Sequence, residues 1–279
     1  MEVITSKSNE KVKFIKSLNE KKFRQEHKAF YIEGVKVVNE VINQREAIDI
    51  LFIAYCDEIL KSVNGGSKLL QVLETSERLR NLQLLNISKS VFETITDTKT
   101  PQGILAVLKI PDFSIDEILK EEKNVLLLDK LQDLGNIGTI IRSADAFGVK
   151  GIICINGTAD VYSPKVIRST MGSILREKII YIQEEKVEEL KKHAHKIVGT
   201  SLEARKYVTD FDFPSKCIFV LGNEANGMSK MVENSCDTLV KIKMTGSAES
   251  LNVSVAAGII LYEQFNKSTK CDCNDVFES

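Results

Sequence analysis

The chain has 279 residues, enough for about two domains. Its 43% hydrophobic and 28% charged residues match ordinary globular usage, which excludes wholesale disorder and a collagen-like fibre. A net charge of −1 excludes the overall basicity of many nucleic-acid binders, but the first 30 residues carry eight basic against four acidic side chains, so a basic N-terminal face and a merely solvated helix both stand.

The longest run without a charged or strongly polar side chain is Val255 to Tyr262, against the roughly 20 residues a membrane span needs. No apolar h-region follows Met1, so no signal peptide is expected. The six cysteines (56, 154, 217, 236, 271, 273) form no CxxC and read as reduced residues of a cytosolic protein.

In chain order, residues 8–26 predict a lysine-rich helix with a thin apolar stripe (Val12, Ile15, Leu18), followed by a short strand at 28–32. Val35 to Ile42 reads as helix and Leu51 to Tyr55 as a buried strand. Gly103 to Leu108 predicts a strand, and Pro111 with its polar neighbours marks the best boundary. The expected domains are 1–108, a small α/β domain, and 115–266, with a frayed tail at 267–279.

The second domain alternates. Strands are expected at Val125–Leu128, Gly151–Ile155, Ile179–Ile182, Ile197–Val198, Cys217–Leu221 and Leu239–Ile242. Helices are expected at Asn136–Phe147, from Ser163-Pro164, at Glu184–His193 and at Ser250–Phe265. Short strands alternating with helices predict an α/β fold with a parallel sheet covered on both faces.

In such sheets ligands lie beyond the carboxyl ends of the strands, and three segments qualify. Asp133-Leu-Gly-Asn-Ile-Gly-Thr-Ile-Ile-Arg142 follows the first strand; taken alone, its periodicity favours a capped amphipathic helix with Arg142 solvated opposite the apolar stripe. Phe219-Val-Leu-Gly-Asn-Glu-Ala-Asn-Gly227 leads a buried strand into two glycines that let a ligand approach the backbone, though a plain strand–turn–helix connection has the same look. Ile242-Lys-Met-Thr-Gly-Ser-Ala-Glu-Ser-Leu-Asn252 ends at a helix start for which Ser250 reads as the cap. GxGxxG, GxxxxGK[ST] and GxSxG are absent, and His193 with His195 makes a poor zinc site, so no metal is expected.

Together, in this order, Asn136-Ile-Gly-Thr-Ile-Ile-Arg142, Leu221-Gly-Asn-Glu224 with Gly227, and Ser250-Leu-Asn-Val-Ser-Val-Ala256 resemble the SpoU/TrmH family of RNA ribose 2′-O-methyltransferases, within the SPOUT superfamily. Ser163-Pro-Lys-Val-Ile-Arg168 with Gly172 is also similar to the family, and Phe30-Tyr-Ile-Glu-Gly-Val-Lys36 resembles its ribosomal-protein-like substrate-binding domain. The resemblance implies S-adenosylmethionine as methyl donor, a catalytic domain with a trefoil knot, and a homodimer pairing through the knotted domain. It implies Thr200, Leu221, Gly222, Ile242, Met244 and Leu251 against the cofactor, and Arg142, Asn136, Glu224, Ser250 and Asn252 at the reaction site. Lys165 and Arg168, three apart on one helix face, are candidates for RNA phosphates. The sequence departs from the family at Leu134 and Lys243, where proline is common, and at Ala225, where glycine is common.

The implied activity is ribose 2′-O-methylation of structured RNA, with 23S-type rRNA ahead of tRNA. The alternatives are an RNA-binding assembly factor with a non-catalytic knot, and a base-directed methyltransferase of the same superfamily.

Overall fold

The computed structural model describes residues 2–44, 48–120, 123–193 and 195–274, without the side chains of Arg78 and of residues 268–274. The chain forms two compact units, Met1–Pro111 with Tyr162–Leu175, and Asp112–Val161 with Arg176–Ser279.

In the first unit, α1 (Glu10–Ser17), α2 (Lys21–His27), α3 (Val35–Asn43), α4 (Asp57–Ser62), α5 (Gly66–Thr75) and α6 (Lys89–Phe92) accompany β1 (Ala29–Glu33), β2 (Ile50–Tyr55), β3 (Leu84–Asn86) and β4 (Ile104–Lys109). The sheet order is β1-β4-β2-β3, antiparallel except for the β2–β3 pair. Its core gathers Val12, Ile15 and Leu18 with Phe52, Phe92 and Leu105. The helix expected over 8–26 is two helices, because the buried Arg24 side chain donates to Leu18 O at 2.6 Å and takes up a carbonyl where α1 ends.

The second unit holds α7 (Ile115–Leu119), β5 (Val125–Leu128), α8 (Leu134–Ala146), β6 (Ile152–Ile155), β7 (Ile179–Ile182), β8 (Lys196–Thr200), β9 (Lys206–Tyr207), β10 (Cys217–Leu221), α10 (Lys230–Ser235), β11 (Thr238–Lys241) and α11 (Val253–Asn274). Its sheet is parallel throughout, in the order β7-β6-β5-β10-β8-β11-β9. The central strand β10 is buried along its whole length, as an apolar run flanked by strands and covered on both faces must be. The helix from Pro164, α9 (Pro164–Thr170), starts at Ser163 as expected but packs on β1, so Lys165 and Arg168 belong to the first compact unit.

Four other readings change. Helix α8 begins at Leu134, two residues before Asn136, because Asp133 Oδ1 accepts from Asn136 N at 2.7 Å and makes Asp133 the cap. The span 184–193 is 3₁₀ rather than α, consistent with buried Val187 and Leu190 three apart. Strand β9, two polar residues long, has no apolar pattern and was not expected. Helix α11 continues through Asn274, and residues 275–279 of the expected frayed tail lie outside the described residues, as do the side chains of Cys271 and Cys273. No helix among the described residues is long and apolar enough to cross a membrane.

Candidate active site

Strands β5, β8, β10 and β11 end side by side, and the segments that leave them enclose a cleft of about 730 Å³. Its walls include Thr200, Leu221, Gly222, Ile242, Met244 and Leu251, together with Asn136, Glu224, Ser250 and Asn252. The volume falls within the range of small-molecule sites. Ten of the eleven residues expected at the cofactor and reaction sites therefore meet in one place.

The eleventh does not. Arg142 is exposed on α8 and does not line this cleft. It stands six residues beyond Asn136, about 9 Å farther along the helix axis.

The mouth of the cleft is held by a directional chain of hydrogen bonds. The Glu224 carboxylate accepts from Gln132 N at 3.3 Å, from Asp133 N at 3.2 Å and from Asn136 Nδ2 at 3.3 Å. Asn136 Oδ1 accepts from Asn252 Nδ2 at 2.9 Å. Asn252 Oδ1 then accepts from Ser254 N at 2.9 Å and from Ser254 Oγ at 2.6 Å, with Val255 N at 3.4 Å. Asn252, not Ser250, thus caps α11, while Ser250 is exposed on the cleft wall.

Desolvation pushes the Glu224 carboxyl up, but its own backbone N–H, the Asn136 amide and the N–H groups of Asp133 and Gln132 outweigh it and hold the pKa below the usual carboxylate value. Glu224 is therefore an anion that fixes neighbours rather than a proton carrier at neutral pH.

The loop between β10 and α10 is shaped from within. Asn223 and Gly227 exchange backbone hydrogen bonds at 2.9 Å, and Asn223 Oδ1 accepts from Ala225 N and Asn226 N. Asn223 Nδ2 donates to Lys130 O at 2.8 Å. Asp129, at the end of β5, accepts from Ser229 N at 2.6 Å. Neither Asn223 nor Asp129 was singled out from sequence. The signals were there: an Asn in a glycine-bounded turn, and an acid directly after a buried strand.

Gly222 is where the loop turns back on itself. A Cβ there would stand 2.4 Å from Met228 N and 2.5 Å from Gly227 C. The bare backbone it leaves on the cleft wall suits a ligand held mainly through main-chain groups, and apolar Leu221, Ile242, Leu251 and Ile260 offer the flat apolar surface an adenosine needs. The residues present fit an S-adenosylmethionine-sized ligand.

Elsewhere, Arg168 Nη2 pairs with Asp97 Oδ2 at 3.1 Å, and Lys165 is exposed. His195 is buried with its ring nitrogens facing the carbonyls of His193 and Lys123. Among the described residues no three His, Cys, Asp or Glu side chains converge as metal ligands.

Comparison with known proteins adds the following. Residues 123–262 match the SpoU rRNA Methylase family, and residues 9–106 match the MRM3-like substrate binding domain. The 23S rRNA (guanosine(2553)-2′-O)-methyltransferase RlmP of Bacillus subtilis (strain 168) is 34% identical over 263 residues, 94% of this chain and 98% of its own. The crystal structure of an AdoMet-bound rRNA methyltransferase from Sinorhizobium meliloti superimposes with a TM-score of 0.83 at 29% identity, covering 94% of this chain and 96% of that one. That of the SpoU methyltransferase AviRb from Streptomyces viridochromogenes in complex with AdoMet gives 0.80 at 27% identity, covering 94% and 100%.

Proposed function

The chain belongs to the SpoU rRNA Methylase family, and from that premise we propose that it transfers a methyl group from S-adenosylmethionine to the 2′-oxygen of a ribose in 23S-type rRNA. The observation that carries this reading is the meeting of Asn136, Glu224, Ser250 and Asn252, from three distant segments, on the wall of one cleft.

S-adenosylmethionine supplies an electrophilic methyl carbon on a sulfonium leaving group. Leu221, Gly222, Ile242, Met244 and Leu251 hold it. Thr200 donates its hydroxyl to Val220 O at 2.9 Å and so locks β8 to β10 beneath it. Ser250 and Asn252 hold the ribose, and Glu224 fixes the loop through Asn136. Positioning of the 2′-hydroxyl in line with the methyl carbon is the main catalytic demand.

A guanidinium stays protonated throughout the physiological pH range, which disfavours Arg142 as the base. In this reading it clamps the adjacent phosphate and stabilises the developing alkoxide, while a water or phosphate oxygen takes the proton. Its exposed place on α8 suits a site completed by the partner in a homodimer. An apolar surface supports such pairing: Phe147, directly after α8, and Phe265 of α11 lie 6.1 Å apart, with Tyr262 beside them, and Val255, Tyr262 and Phe265 are about half exposed. The return of β10 to lie between β5 and β8 supports the knotted path the family resemblance implies.

The first compact unit, with Lys165 and Arg168 on α9, is the RNA-gripping part in this reading, Arg168 exchanging Asp97 for a phosphate. The free thiols Cys56, Cys154, Cys217 and Cys236 support a cytosolic location.

The test is transfer of labelled methyl to rRNA and tRNA, followed by mapping of the product. The expected result is a ribose 2′-O-methyl in 23S rRNA, with the guanosine named for the Bacillus subtilis relative examined first. Label on a base overturns the ribose assignment. RNA binding without transfer points instead to an assembly factor.

A further inference from the structure

Strand β9 forms one edge of the second sheet, and Tyr207 on it pairs in register with Lys241 of β11. Lys243 lies two residues past the end of β11. Both ammonium groups reach the Tyr207 ring, at 5.4 Å and 5.9 Å from its centroid. Lys243 is exposed, while Lys241 and Tyr207 are half-buried. Among the described residues neither lysine has a carboxylate partner. Lys241 also lines the cleft, so the patch is continuous with its rim.

Two unpaired cations around one aromatic ring, next to a site that acts on ribose, form a surface of definite chemistry. We infer that Lys241, Lys243 and Tyr207 bind an unpaired RNA segment flanking the target ribose, with phosphates drawing the two ammonium groups off the ring and a base stacked on the Tyr207 face this frees. The inference rests on the RNA reading given above and adds to it a contact surface on the catalytic unit, apart from Lys165 and Arg168. Stacking plus backbone charge is how proteins hold single strands, whereas a paired strand offers no free base to the ring. Lys243 also stands where the family resemblance leads one to expect proline.

The test is fluorescence anisotropy of the full chain, with S-adenosylmethionine present, on a labelled 23S rRNA fragment with an unpaired target loop and on a fully paired control. Lys243→Ala should weaken loop binding and flatten the dependence of log affinity on log salt by about 0.7, one phosphate contact on a single strand. Tyr207→Leu should weaken loop binding at least about fivefold and leave the duplex unaffected, with Tyr207→Phe restoring it. Thermal unfolding checks that each variant is folded, and the exposed Lys243 decides the matter if Tyr207→Leu is not. Unchanged affinity and salt slope in Lys243→Ala assign the patch to solvation and overturn the inference. A wild-type chain that binds the loop through this patch yet methylates no RNA overturns the proposed reaction and leaves the inference standing.

Discussion

Asn252 donates its Nδ2 to Asn136 Oδ1 at 2.9 Å across 116 positions of sequence, and this bond fixes the orientation of both amides. The Glu224 carboxylate is only an acceptor, so it turns Asn136 Nδ2 toward itself and leaves Asn136 Oδ1 for Asn252. Asn252 must then present Nδ2 to Asn136, which leaves its Oδ1 for the first N–H groups of α11. One ionised side chain thereby sets the polarity of the whole mouth of the cleft.

Replacing one end of that chain separates its two jobs. Asn252→Asp keeps an oxygen for the α11 start and adds a negative charge at a helix N-terminus, so the thermal midpoint should hold or rise. It also puts a carboxylate against Asn136 Oδ1, and single-turnover methyl transfer should fall at least about tenfold, the worth of one hydrogen bond in the transition state. Asn252→Ala should lose both, with about 1 kcal/mol of stability gone with the cap. Full activity in Asn252→Asp would show that the amide contact does not matter.

Arg142 is the clearest test of a shared site. Arg142→Ala and Ser250→Ala should each lower turnover by about 10²–10³. Mixed after reversible dissociation, the two inactive proteins should recover about a quarter of wild-type activity, because half of the dimers are mixed and each mixed dimer has one site with both residues intact. No recovery, with mixed dimers confirmed by native mass spectrometry, would place Arg142 at its own cleft. Arg142→Lys keeps the charge but loses the planar fork, and near-normal turnover there would remove the need for a guanidinium.

Gly222→Ala should distort the cleft. The added methyl meets backbone atoms of Gly227 and Met228, which cannot step aside as a flexible side chain does. Overpacking of this kind costs about 1–3 kcal/mol, and the loop it displaces lines the cleft. Calorimetry should show weaker S-adenosylmethionine binding by tenfold or more, together with a lower thermal midpoint.

Glu177 gives the protein an unusual pH response. Burial first, then the nearby charge of Asp145, pushes its pKa from 4.5 up to about 8, and Oε2 has no hydrogen-bond partner. Below about pH 4.5 both folded and unfolded chains keep this proton. Between there and about pH 8 the unfolded chain releases it while the folded chain holds it, so this group's contribution to stability falls as pH rises. Glu177→Gln should therefore raise the unfolding free energy at pH 8 by an amount of order 1–3 kcal/mol, and change it little at pH 4. An equal effect at both values would place the cause outside this titration.

Much of this was legible in the residues. The apolar runs Val125–Leu128 and Cys217–Leu221 can only be strands covered on both faces, and the polar, glycine-bearing segments that follow them had to lie at the sheet's carboxyl edge. At three helix ends local chemistry misled because a competing partner intervened. Asp133 took the cap of α8, Asn252 took that of α11, and Arg24 ended α1 through a carbonyl.

By itself the sequence determined the elements and the parallel class of the second sheet, because burial periodicity and backbone propensity act over a few residues, whereas the short list of candidate site groups came from the family resemblance. Only the tertiary structure decided that Asn136, Glu224 and Asn252 join in one directed chain, that Arg142 stands off its own cleft, and that α9 packs with the first unit. Contacts between residues about a hundred positions apart depend on the order in which strands line up. That order is set by the packing of the whole sheet, which no local pattern encodes.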